Sequence, residues 1–237
     1  MLGWGLVAAA ALPLGAAAGW FLHLPQRAVA GTMAFGSGAL IAALSIVLMQ
    51  DAYDAAGFPS TAASFLAGAL AYTFTDTALQ RWGRRRRRAR SEADAHALAL
   101  AAGSALDNIP EMIVLGIGFS GGVPSMAMLA AIFVSNVPEA LSSAAELKRA
   151  GRSAAFVFVL WCAIGALAAA ATLVGYLAFG GAAPEVAAAA KALAAGAIIA
   201  MVADSMIPQA YEVAHDFSGL ITALGFLLAF ALQQLQR

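Results

Sequence analysis

The chain predicts an all-α, polytopic membrane protein with eight transmembrane helices, arranged as inverted three-helix repeats around a central helix pair. Three observations carry that expectation. Of the 237 residues, 62% are hydrophobic and only 11% are charged, whereas a soluble domain carries about a quarter charged residues. Apolar runs long enough to cross a bilayer, roughly 20 residues each, recur along the whole chain. A shift of 158 residues lays one part of the chain on another. Mean hydropathy is +0.82, and the length leaves no room for a large soluble domain, so residues 1–237 read as one membrane domain. Net charge is zero, so composition gives no reason to expect a nucleic-acid partner.

The helices follow in order. The first runs from about Trp4 to Leu22. No Lys or Arg precedes Arg27, so this run lacks the basic start of a signal peptide and reads as a retained helix. The second spans about Ala28 to Met49 and the third about Thr61 to Gln80. The fourth covers about Ala95 to Phe119 and the fifth about Pro124 to Leu147. The sixth spans about Ser153 to Phe179, the seventh about Pro184 to Pro208, and the eighth about Gly219 to Leu235. Breaks fall at Pro25, Gly57-Phe58-Pro59, Gly121-Gly122, Gly151, Gly180-Gly181 and His215-Asp216, which are ordinary loop signals. The single cysteine, Cys162, lies in an apolar run and reads as a small packing residue.

Positive charge orients the set. Arg27 lies between helices one and two. Arg81, the run Arg84 to Arg88 and Arg90 form a short Arg-rich loop, about 81–94, between three and four. Lys148, Arg149 and Arg152 lie between five and six. Eight alternating helices put all these loops on one side. The opposite loops carry Asp51, Asp54 and Glu185. The positive-inside rule then places the Arg-rich loop in the cytoplasm and both termini outside. The arginine run reads first as a topology determinant, with anionic lipid or nucleic acid as other readings.

Under the 158-residue shift Gly38 meets Gly196, Ala39 meets Ala197 and Ala42 meets Ala200, and Ala52-Tyr53-Asp54 meets Ala210-Tyr211-Glu212. Helices two and seven run in opposite directions, so the repeat would be inverted. Three helices, an inserted pair and three inverted helices form a transporter-like plan.

The inserted pair, helices four and five, carries the chemistry. Asp107-Asn108-Ile109-Pro110-Glu111 and Ser135-Asn136-Val137-Pro138-Glu139 repeat Asn-x-Pro-Glu 28 residues apart. Carboxylates and helix-interrupting prolines are costly inside a bilayer, so they mark a functional candidate. Each proline, near the midpoint of its span, frees the carbonyl four residues earlier, at Leu106 and Val134. Asp107 and Glu111 are four apart, Asn108 and Glu111 three apart, so all can reach one face. Ser135 and Asn136 relate to Glu139 in the same way. No Lys or Arg lies within either stretch. A divalent cation is the natural counter-charge for such carboxylates, with protons replacing it in an empty site. The plain alternative is a set of interhelical hydrogen bonds.

These two stretches resemble the fourth- and fifth-helix motifs of the ZIP family of divalent-metal transporters. There the fourth helix typically carries His-Asn-x-Pro-Glu-Gly, and a similar motif often recurs on the fifth in bacterial members. Phe35-Gly36-Ser37-Gly38 on helix two and Asp204-Ser205-Met206-Ile207-Pro208 on helix seven resemble it as well. The resemblance implies a metal-binding role for Asn108, Glu111, Asn136 and Glu139. It implies transport of zinc, manganese, iron or a similar ion toward the cytoplasm, in a bacterial plasma (inner) membrane, with no resident cofactor and no enzymatic activity. Asp107 and Ser135 stand where the family usually has histidine, and Met112 and Ala140 where it has glycine. The expected ligand set, Asp107, Asn108, Glu111, Ser135, Asn136 and Glu139, is therefore nearly all oxygen. Oxygen ligands suit harder ions such as manganese or magnesium, although zinc also accepts carboxylate.

Other polar residues offer a path. Asp204, inside helix seven, reads as buried, lining the exit or bonding to a neighbour. Glu146, two turns beyond Glu139, could receive the ion or pair with Lys148 or Arg149. Asp76 poses the same choice. Asp51 and Asp54 read as a solvated outer loop, and His23, His96 and His215 as interfacial. The small-residue faces of helices two and seven suit a homodimer or internal packing equally. Competing functions are a proton- or sodium-coupled carrier of a small solute, and an intramembrane metal-dependent hydrolase. The latter lacks any H-E-x-x-H motif.

Overall fold

The structure is a computed structural model. It describes residues 2–22, 24–87, 92–119 and 125–235, apart from the side chains of residues 2, 83–87, 92–98 and 100. The expectations for His23, Arg88, Arg90 and Gly121-Gly122, and those on the side chains of Arg84 to Arg87 and His96, lie outside that description.

Among the described residues there is no strand. The helices are α1 (Leu2–Phe21), α2 (Gln26–Ala43), α3 (Gln50–Arg87), α4 (Glu92–Gly118), α5 (Met126–Arg149), α6 (Ala154–Phe179), α7 (Pro184–Met201), α8 (Ile207–Ala214) and α9 (Ser218–Gln234). A π-helical segment, Leu44–Met49, joins α2 to α3, and another, Val202–Met206, joins α7 to α8. One helical stretch thus runs from Gln26 to Trp82, and another from Pro184 to Gln234. At 57 and 51 residues each is about twice what one crossing needs. Each is broken near its middle. Gly57 has φ +71°, which halts the helix before Pro59. His215 has φ +44° and opens a 3₁₀ turn, His215–Phe217, that leads into α9.

These bounds correct several sequence expectations. The second helix does not stop at Met49, so Asp51 and Asp54 are helical rather than in a loop. The Gln50 amide donates to Asp54 Oδ1 at 2.9 Å, and Lys191 Nζ pairs with Asp51 Oδ2 at 2.7 Å. The seventh helix continues through Pro208 to Ala214. Residues 81–87 and 92–94, expected in a loop, are helical. Pro110 lies two-thirds along α4 rather than at its midpoint, whereas Pro138 is central in α5. Cys162 is exposed. Uniformly apolar helices carry no polar stripe to tell their inner face from their outer one, which is why its side could not be read.

Five helical stretches among the described residues are long and apolar enough to cross a membrane. Large apolar side chains cover the outside, Phe58, Phe74 and Leu177 each about 70% exposed. Such a surface has no place in water and suits a bilayer.

Packing divides the helices into two sub-bundles. In one, α1 packs on α5 and α6, and α4 packs on α6. In the other, α2 packs on α8 and α9, and α3 on α7. They meet where α2 lies against α5, and α3 and α7 against α4. Glycine makes the tightest contacts possible. A Cβ at Gly38 would overlap the Thr222 carbonyl oxygen, and one at Gly225 the Phe35 carbonyl oxygen. Gly196 stands likewise against Phe65, and Gly68 against Leu193. Small residues let membrane-type helices approach backbone to backbone.

Candidate metal centre

The central site forms where α4 and α5 meet beneath α2. Gly36 brings α2 so close to α5 that a Cβ there would stand 2.8 Å from the Ser135 Cα. Asn108, Glu111, Ser135 and Asn136 are all buried, each at most 2% exposed. Met112 and Ala140, fully buried beside them, close the apolar surround.

The two repeated stretches touch through their asparagines. Asn136 Nδ2 donates to Asn108 Oδ1 at 2.8 Å, and Asn108 Nδ2 donates to the Ser104 carbonyl at 2.8 Å. The Asn136 side chain also hydrogen-bonds Glu111, and the Ser104 side chain Glu139. One oxygen of each carboxylate, Glu111 Oε2 and Glu139 Oε1, is buried without a partner. Leaving such an acceptor unmatched costs on the order of 1–3 kcal/mol, more for a charge. A bound cation or a proton would remove that cost.

The other two expected ligands are engaged elsewhere. Asp107 Oδ1 accepts from the Tyr72 hydroxyl of α3 at 2.7 Å. The Ser135 hydroxyl donates to its own helix, to the Ile132 carbonyl at 2.9 Å. Asp107 remains within electrostatic reach of both Glu111 and Glu139. Among the described residues no three His, Cys, Asp or Glu side chains are gathered tightly enough to hold an ion by themselves. An ion at this site would fill its shell with Asn oxygen, hydroxyl or water besides the two glutamates, a donor set for a hard cation.

Tyr72 and Ser104 were not singled out in the sequence. Ser104 is four residues before Asn108, and helical spacing alone could have found it. Tyr72 comes from another helix and has no such signal.

The path residues fall differently from expectation. Asp204 is exposed on its π-helical segment rather than buried, and it interacts electrostatically with Asp76 on α3. Asp76 in turn accepts from the Gln80 amide at 2.7 Å. Glu146 is half-buried and engaged, while Lys148 turns to the Trp20 carbonyl at 2.7 Å.

Comparison with known proteins finds no matching family and no matching curated relative.

Proposed function

We propose that this chain is a divalent-metal transporter of the ZIP type, working by alternating access, with Glu111 and Glu139 as the principal ligands. One observation carries the reading: a buried glutamate, Glu111, and a half-buried one, Glu139, on adjacent helices, each with one buried, unpartnered oxygen, flank an amide pair that locks the helices in register. The amide pair alone would be an ordinary interhelical clamp. The unpartnered carboxylate oxygens are what a clamp leaves unexplained. Neither motif has a basic residue to neutralise them, and a cation is the simplest counter-charge.

The inverted repeat and the eight spans belong to the same proposal, and the second half of the chain supports them position by position. The π-helical segments begin at Leu44 and Val202, and the positive-φ breaks fall at Gly57 and His215. Both pairs are related by the 158-residue shift. Gly38 against α9 mirrors Gly196 against α3, and Gly225 against α2 mirrors Gly68 against α7 with the register slipped by one residue. The sub-bundles, each drawing helices from both halves, are then the bodies that move, rather than the three-helix repeats themselves. Asp76 and Asp204 lie along the way out to the cytoplasm, on the side of the basic loops. Both termini lie outside, in a bacterial inner membrane.

The test is uptake of manganese, zinc, iron and cobalt into proteoliposomes. Wild type is expected to move at least one of them, and Glu111→Gln and Glu139→Gln to abolish that uptake. Full uptake by both variants would overturn the metal centre. If wild type moves no divalent ion but moves protons or sodium with a solute, the carrier reading replaces it.

A further inference from the structure

A cavity of about 620 Å³, lined by none of the six expected ligands, opens between the sub-bundles where the ends of α1, α5 and α8 surround the start of α2. Its walls are mostly apolar, with Leu22, Val29, Met33, Leu141 and Val213, interrupted by Gln26, Ser142 and Gln209. Among the described residues that line it, the charged ones are Lys148 and Arg149. Two positive charges make it a poor outlet for a metal cation. They make it suitable for an anion with an apolar tail.

The rim is built rather than incidental. Lys148 Nζ donates to the Trp20 carbonyl at 2.7 Å and lies 5.2 Å from the centre of the Trp20 ring. This holds the ammonium at the cavity mouth with donors to spare. Trp20 packs at a tilt against Phe158, and Phe158 stacks on Phe21. Such an aromatic cluster at helix ends marks headgroup depth in a membrane protein. From Gln26 to Met33 the α2 wall descends about 10 Å, into hydrocarbon depth. A phosphate at the rim therefore leaves room for the upper part of an acyl chain below it.

We propose that this cavity binds one anionic phospholipid from the leaflet facing the basic loops, with its phosphate between Lys148 and Arg149 and a chain along Val29, Met33 and Leu141. The inference rests on the membrane placement proposed above and is independent of the metal. The lipid wedges α1 and α5 apart from α2 and α8, across the seam between the sub-bundles.

The test uses the full chain in neutral detergent, with retained lipid read by native mass spectrometry. Phosphatidylglycerol should be retained over phosphatidylcholine of the same chains. The Lys148→Gln/Arg149→Gln variant should weaken that retention about 25-fold, since each basic group contributes roughly a fivefold factor. Met33→Trp fills the cavity without touching its charge and should displace the lipid as well. Thermal melting confirms that both variants fold. Equal retention of the two lipids, or unchanged retention in either folded variant, overturns the inference. So does displacement of the lipid by millimolar glycerol phosphate, which would mark a site for free phosphate esters. A chain released from membranes by alkaline washing overturns the membrane reading itself. Absence of divalent-ion uptake by wild type, with lipid retention intact, overturns only the transport reading.

Discussion

Asn136→Leu removes the donor that satisfies Asn108 Oδ1 and reaches Glu111. With the acceptors left buried, about 1–3 kcal/mol of stability should go, seen as a lower melting temperature in detergent, and metal binding should fall with it. Asn136→Ser, which restores a donor, should recover part of the stability. An Asn136→Leu variant as stable as wild type would mean that the amide pair does not hold the helices together. Helical spacing made Asn108, Glu111, Asn136 and Glu139 legible, because three and four residues is one turn. Asp107 and Ser135 show where spacing stops. Tyr72 reaches Asp107 from α3, and an isolated tyrosine in an apolar run has no period to betray it. The Ser135 hydroxyl turned to its own helix, which short hydroxyl side chains do when a carbonyl is near.

Among the elements, the two turning points are equivalent in place but not in ease. Gly57 adopts φ +71° with open space around the site of a Cβ, so only the backbone conformation opposes a side chain. His215 holds φ +44° as a non-glycine residue, at a cost of order 1–3 kcal/mol. His215→Gly should therefore raise melting by about 1 kcal/mol, and Gly57→Ala should lower it by a similar amount. Equal responses of both variants in the same direction would contradict this assignment of strain. Both breaks were legible as Gly-Phe-Pro and His-Asp. The continuation of the helices to them was not. Asp51, Asp54 and Pro208 are loop signals in water, yet π-helical segments and flanking apolar turns carry the helix past them.

For the whole molecule, the all-helical, apolar character was legible but the packing partners were not. A 158-residue sequence shift could not say that α2 closes on α9 and α3 on α7, since any small-residue face could meet any other. The Asp51–Lys191 pair, which ties the end of the α2 rod to α7, is half exposed and is worth under about 1 kcal/mol. Lys191→Met should change melting by no more than that. Orientation can be read from the equivalent exposed residues Asp54 and Glu212. In a Cys162→Ala background, Asp54→Cys should react with a membrane-impermeant maleimide on intact cells, and Glu212→Cys only after lysis. Labelling of both from outside would dismiss the inverted arrangement.

Because each sub-bundle joins early helices to late ones, assembly has to wait for the ribosome. Gly38 meets its partner strip on α9 only after about 190 further residues have been made, roughly 10–40 s at ordinary rates of synthesis. During that interval α2 stands in the lipid with its closest-fitting face uncovered, and α3 waits similarly for α7. A chain stopped short of α9 would keep the central pair yet never close the half of the molecule that surrounds it. It should be cleared by proteolysis rather than accumulate as a leaky pore.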